Sequence, residues 1–240
     1  MSGAAVTCIY QDRIGYLWFG SFSGLDRYDG YSFTSHNHAP DNPSSKPNGL
    51  VYALCEDKAG NLWIGTSRGL DRLDRATETF AHFTPHLPGP ETELSNFVSA
   101  IQEDRYGVLW VGTHEGLNKF DPTTGTFTYL RYDSMDSGSL SGDFIGAIHE
   151  DKAGSLWIGT GGGFDKLDRE TGKFIRYLHD QYRVNSIYED KSGTLWLGTE
   201  DGLVEFDRTT GTFTEWPDCQ RYSTILPSAY AYRYRCCGDR

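Results

Sequence analysis

The chain has 240 residues, enough to bury a substantial core, and its formal net charge of -11 sets it against nucleic acid and anionic membrane surfaces as partners. No apolar run approaches the roughly 20 residues that span a bilayer, and the opening Met1-Ser2-Gly3-Ala4-Ala5-Val6 has neither the basic region nor the apolar core of an export signal. Five cysteines, an odd number, speak against a complete disulfide framework.

The first predicted strand runs from Val6 to Gln11. A turn at Asp12 follows, and Leu17-Trp18-Phe19-Gly20 begins a second strand. The same order returns at Glu56, Glu103, Glu150 and Glu189, which places Trp18, Trp63, Trp110, Trp157 and Trp196 at intervals of 45, 47, 47 and 39 residues. A period of that size marks one supersecondary unit repeated, each copy unable to bury its apolar faces alone.

The second copy shows the unit in full. Val51 to Glu56 is a strand, Asp57-Lys58-Ala59-Gly60 a turn, Leu62-Trp63-Ile64-Gly65-Thr66 a second strand, Leu70 to Asp74 a third and Thr79 to Phe83 a fourth. Four short strands between Gly and Asp turns, without helical periodicity, make a propeller blade. The fold class is therefore all-β, a β-propeller of five recognisable four-stranded blades over about 4-36, 49-84, 96-132, 143-179 and 182-217, within a domain spanning 1-218. Residues 219-240 form a non-repeating tail in which Tyr230-Ala231-Tyr232-Arg233-Tyr234 suits one strand.

The residue four before each turn aspartate is small (Cys8, Ala53, Ala100, Ala147, Ser186), while those three and six before are branched. Small and branched residues are expected on opposite, buried faces of the inner strand. The five repeated tryptophans are assigned to the core, because a binding site seldom needs five identical copies. Cys8 and Cys55 are expected as buried thiols. Cys219, Cys236 and Cys237 fall outside the repeats, and the vicinal pair lacks a partner pair at zinc spacing. The Asp-x-x-Gly elements read as tight turns, since one carboxylate per turn is too few for calcium. His36 and His38 would point one way from an extended strand, but no third metal ligand is suggested and a polar link is expected. Gly159-Thr160-Gly161-Gly162-Gly163 occupies a turn with no helix after it, so it is not read as a phosphate cradle. No metal or cofactor is expected.

At these residues the sequence resembles the two-component regulator propeller repeat, whose pattern Val/Ile-x-x-Ile-x-Glu-Asp-x-x-Gly-x-Leu-Trp-Ile-Gly-Thr-x-x-Gly-Leu is met almost fully by repeats two to five. Similar proteins are sensor regions of membrane-bound hybrid histidine kinases, in which tandem propellers in the periplasm detect, in many cases, carbohydrate-derived ligands. The resemblance implies a non-catalytic sensor with periplasmic localisation. The family's propellers usually have seven blades, then an immunoglobulin-like domain, a membrane helix and a kinase. This chain reads as a fragment or truncated relative. Its five blades either close on side-chain packing or form an open arc that self-associates.

Candidate site residues follow from variation against a constant scaffold. The turns between second and third strands lie on the channel face and differ from blade to blade: Phe22-Ser23, Ser67-Arg68, His114-Glu115, Gly161-Gly162 and Glu200-Asp201. Arg68, His114, Glu115, Glu200 and Asp201 offer hydrogen bonds to hydroxyls or, from the arginine, a bidentate pair with a carboxylate. Phe22, Tyr10 and Tyr188 offer stacking surfaces. Tyr10, Gln102, His149 and Tyr188, two residues before the turn aspartates, vary as well. The leading function is a non-enzymatic ligand-sensing module, binding an oligosaccharide, another small ligand or a partner protein. One alternative is a lyase or glycosidase with Glu115, Glu200 and Asp201 as acid and base and His114 as proton carrier. The other is a protein-protein scaffold.

Overall fold

The computed structural model describes residues 5-36, 47, 49-85, 96-179 and 182-216. The first blade is β1 (Val6–Gln11), β2 (Leu17–Ser21), β3 (Gly24–Tyr28) and β4 (Phe33–His36); the second is β5 (Val51–Glu56), β6 (Leu62–Thr66), β7 (Gly69–Asp74) and β8 (Thr79–Phe83). The third comprises β9 (Val98–Glu103), β10 (Leu109–Thr113), β11 (Gly116–Asp121) and β12 (Thr126–Leu130); the fourth β13 (Ile145–Glu150), β14 (Leu156–Thr160), β15 (Gly163–Leu167) and β16 (Phe174–His179). The fifth is β17 (Val184–Glu189), β18 (Leu195–Thr199), β19 (Gly202–Asp207) and β20 (Thr212–Trp216). Each blade is one antiparallel sheet with its strands in chain order, as an all-β propeller requires. The predicted tail strand, His38 and the three outer cysteines lie outside the described residues.

Every inner strand carries a β-bulge near its start. Val51 pairs with Thr66 and Ala53 with Gly65, leaving Tyr52 unpaired; Thr7, Ser99, Gly146 and Asn185 occupy the same place in the other blades. The extra residue reverses the side-chain parity. Val51 and Leu54 therefore face the first blade while Ala53 and Cys55 face the third. Without the bulge, Val51 and Ala53 would share a face. The small residues admit the next blade, and Gly65 does the same in β6: a Cβ there would lie 2.7 Å from Val98 Cγ1 and 3.0 Å from the Ala53 Cβ.

Each seam is built alike. The tryptophan of one blade packs against the Val, Leu and Ile residues of the next: Trp18 on Val51, Leu62 and Ile64, Trp63 on Val98, Leu109 and Val111, Trp110 on Ile145, Leu156 and Ile158, Trp157 on Val184, Leu195 and Leu197. These four indoles are almost completely buried. Trp196 is only half-buried, because among the described residues no sheet follows it; it leans on Trp216 of its own blade with ring centroids 5.6 Å apart. The assignment of all five repeated indoles to the core therefore fails at Trp196.

The turn aspartates anchor these indoles. Asp12 Oδ1 accepts the backbone N–H groups of Ile14, Gly15 and Tyr16, while Oδ2 accepts the Trp18 Nε1–H at 2.8 Å. The same indole bond recurs at Asp57, Asp104, Asp151 and Asp190. The carboxylate is consumed within the protein, which is the physical reason the turn needs aspartate.

A charged latch then crosses the seam. Arg75 of the second blade donates to Asp12 at 2.7 Å and to Glu56 at 3.1 Å. Arg169 joins Asp104 to Glu150, and Arg208 joins Asp151 to Glu189. The glutamates also receive backbone N–H groups from the preceding blade, those of Arg13, Lys58, Arg105 and Lys152. At the seam between blades two and three, Pro122 stands where the others have arginine, and the Asn61 side-chain amide donates to Asp57 Oδ2 at 2.8 Å instead. Asn61→Ala should leave that buried oxygen short of a donor and cost about 1–2 kcal/mol in urea unfolding, whereas Thr194→Ala at the corresponding position of blade five should cost less than about 0.5 kcal/mol.

Among the described residues no sheet covers the outer faces of blades one and five. Val6, Ile9 and Phe33 are 38%, 47% and 41% exposed, although their equivalents Val51, Ile101 and Phe80 are 0%, 9% and 4% exposed. On the other side Tyr188 and Trp216 are 63% and 47% exposed. His36 corrects the sequence reading. Rather than lying in a polar link, it is buried, stacked on Trp18 with centroids 5.8 Å apart and edge-on to Phe80 at 5.6 Å. An imidazole fills the place that Phe83 takes against Trp63 in the next blade, and its burial lowers its pKa.

Candidate functional site

The turns between second and third strands are held by one repeated device. Thr66 Oγ1 accepts the Arg68 N–H and donates to the Gly69 carbonyl; Thr113, Thr160 and Thr199 do the same for Glu115, Gly162 and Asp201. The scaffold threonine is buried while the two turn residues are free to differ. The bulge residues lie at the same end of the blades. Thr7 and Ser99 use their hydroxyls to bond the carbonyls of Val51 and Ile145, the first inner-strand residues of the next blades.

On this end the side chains of several blades meet in a continuous belt. Phe22 of the first turn lies edge-on to Tyr52, the bulge residue of blade two, with centroids 6.2 Å apart. Tyr52 lies 4.3 Å from Phe97, which stacks on His114 at 3.9 Å and an interplanar angle of 26°. His114 is 4.8 Å from Phe144, and the Arg183 guanidinium sits 3.7 Å above the Phe144 ring. Burial, reinforced by the Arg183 charge, lowers the His114 pKa to about 4, so its imidazole is neutral at pH 7. Of the predicted site residues, Phe22 and His114 belong to this belt.

Tyr52, Phe97, Phe144 and Arg183 were missed. Phe97, Phe144 and Arg183 each immediately precede the first inner-strand residue of a blade, Val98, Ile145 and Val184, and Leu50 holds that position before Val51. The signal was therefore a register position one residue ahead of the constant Val/Ile. Tyr52 is the bulge residue, whose aim no strict alternation reveals.

The other predicted residues go elsewhere. Arg68 is exposed on its turn. Glu115 pairs with Arg131 at 3.0 Å, a partly exposed bridge. Glu200 and Asp201 are exposed, and Asp201 lines a cavity of about 230 Å³ with Tyr182, Glu215 and Trp216, where the Tyr182 hydroxyl donates to Glu215. Tyr10, Gln102, His149 and Tyr188 pair across the sheet with Trp18, Trp110, Trp157 and Trp196, at the end of the inner strand beside the aspartate turns. Three residues of extended chain, about 10 Å, separate that position from the bulge, so the two predicted groups do not form one site. His149 lies 3.8 Å from Glu189, and burial lowers its pKa. Gln102 donates to the Glu103 carbonyl.

A repeated sheet, an indole anchored on a turn aspartate and variable turns on one face define a β-propeller module. The model of the two component regulator propeller family matches the chain five times, at residues 1–23, 45–68, 92–115, 139–162 and 178–201, and the chain belongs to that family. No curated protein matches it. Among solved structures it is similar to the extracellular domain of the putative hybrid two component system BT3049 from B. thetaiotaomicron, at 29% identity and a TM-score of 0.75 over 89% of this chain and 30% of that one. The corresponding domain of BT4673 from the same organism gives 24% identity and a TM-score of 0.60 over 89% of this chain and 33% of that one. This chain thus spans about a third of those extracellular domains. A catalytically inactive virginiamycin B lyase from Staphylococcus aureus, determined with quinupristin, shares the fold at 15% identity and a TM-score of 0.68, covering 94% of this chain and 72% of that one.

Proposed function

We propose that the chain is a non-enzymatic ligand-sensing module of a two-component system, acting in the periplasm and binding a carbohydrate-like ligand along the aromatic belt. The supporting observation is the belt itself: rings and an imidazole from successive blades, carried on turns and links whose backbone is fixed from below. Aromatic faces receive the apolar face of a sugar ring, and flanking polar groups such as Arg68 read its hydroxyls. Glu115 is bound to Arg131 and blade five carries Glu200 and Asp201 on one exposed turn, an arrangement better suited to hydrogen bonding than to an acid–base pair. The test is calorimetric titration with a panel of neutral and acidic oligosaccharides. Phe97→Ala and His114→Ala should each weaken the best binder at least tenfold, and Tyr188→Ala, at the far end of the blades, should leave it unchanged. Loss of affinity in Tyr188→Ala alone would move the site away from the belt.

The bare faces of blades one and five favour a second, compatible reading, in which they receive further sheets. Each carries the apolar half of a seam, so copies of this chain should associate head to tail. Light scattering should show mass rising with concentration. Ile9→Asp and Trp216→Asp should each abolish that rise, while an equimolar mixture of the two variants should form a 1:1 pair. A wild type that stays monomeric throughout would exclude this association.

A further inference from the structure

Arg183 differs from most of the other structured arginines, and among the arginines of the described residues it alone has a buried Nε without a hydrogen-bond partner. Arg75, Arg169 and Arg208 bridge carboxylates, Arg105 and Arg131 pair with Glu150 and Glu115, and Arg176 donates to the Asp136 and Ser139 carbonyls. Arg183 is half-buried, its Nε is buried without a hydrogen-bond partner, and among the described residues no carboxylate pairs with it. Its contact is the Phe144 face, 3.7 Å away.

A stacked guanidinium is held flat by the ring beneath it while its edge keeps a planar fork of donors. Burying donors without acceptors is costly, and the chain's charge of -11 means acidic side chains were abundant enough to supply one. None does. Beside Arg183 stand the Phe144 and His114 rings, the latter stacked on Phe97. This surface has a cation whose fork fits oxyanion geometry.

We propose that Arg183, with Phe144, His114 and Phe97, recognises an oxyanion group carried on a ring-shaped ligand, the ring lying on the aromatic belt and the anion on the guanidinium edge. This rests on the ligand-sensing reading and adds the charge of what is sensed. Carboxylate, sulfate and phosphate share the required chemistry, and the probes separate them. NMR titrations with glucuronate, glucose 6-sulfate, glucose 6-phosphate and glucose should follow the His114 and Arg183 side-chain signals in wild type, Arg183→Ala and Arg183→Lys. At least one anionic sugar should bind ten times or more tighter than glucose, and the anion that binds best names the class. Arg183→Ala should erase that preference. Arg183→Lys, keeping charge but not the planar fork, should retain part of it, and both variants should keep the wild-type circular dichroism. Equal affinity for all four sugars, or a preference that survives Arg183→Ala, would overturn the proposal while leaving a neutral-sugar sensor standing. Signals that stay still with every sugar would refute both the anion site and the belt as a sugar-binding face.

Discussion

Trp110→Ala should lower the unfolding free energy by about 3–5 kcal/mol, and Trp196→Ala by no more than about 1–2 kcal/mol, although the two residues hold the same place in the repeat. The difference comes from the neighbour. Trp110 is 1% exposed, packed against Ile145, Leu156 and Ile158 of the next blade, and its Nε1–H is bonded to a fully buried Asp104. Alanine there opens a cavity at a seam and strands a carboxylate oxygen. Among the described residues Trp196 packs on Trp216 of its own blade, and it is half open to water. Urea unfolding of both variants measures the contrast. Equal costs would mean that the indoles act within their own sheets, not between sheets.

The second large effect is electrostatic and depends on pH. Burial pushes the Asp104 carboxyl up, but the hydrogen bonds from the Trp110 indole, the Arg169 guanidinium and the Val108 N–H together hold it below the usual carboxylate range. Asp12 and Asp151 are held down in the same way, against burial, by Trp18 and Arg75 and by Trp157, Ser155 and Arg208. A depressed folded-state pKa adds stability that is present above the unfolded value, near pH 4, and lost as pH falls through the lowered folded value. The protein should therefore unfold in acid as these carboxyls are protonated. Arg169→Met removes the cation and leaves the Asp104 charge buried with only N–H donors around it. At pH 7 this should cost about 1–3 kcal/mol, the lower end reflecting an arginine that is 25% exposed. At pH 3 the gap between wild type and variant should narrow, because a proton can do part of the work of the guanidinium. A cost that is unchanged between pH 7 and pH 3 would assign the role of Arg169 to its aliphatic stem.

The repeat made most of this architecture legible. Leu-Trp-aliphatic-Gly in every copy marked the second strands, and the small residues before the turn aspartates marked where blades converge. What stayed hidden depended on neighbours in space. The bulge at Tyr52 inverts strand parity, so counting in twos from Val51 misplaces the faces. His36 looks like a polar link residue because nothing in sequence shows that it replaces a phenylalanine on Trp18. The charged latch draws Asp12, Glu56 and Arg75 from two blades, and only the register of the seam brings them together. The candidate site was half visible. Variable turns pointed to Phe22 and His114, but Phe97, Phe144 and Arg183 sit one residue before a strand, in links whose length and composition change between blades. The inner-strand residues Tyr10, Gln102, His149 and Tyr188 shared the variability without sharing the place.

Indole N–H exchange tests the seam geometry most directly. In a ¹H–¹⁵N spectrum after transfer to D2O, the Nε1–H signals of Trp18, Trp63, Trp110 and Trp157 should persist, since each is bonded to a turn carboxylate beneath the next blade. Those of Trp196 and Trp216 should vanish first. Uniform exchange of all six, or rapid loss of any of the four, would contradict an arrangement in which each blade seals the tryptophan of the one before it.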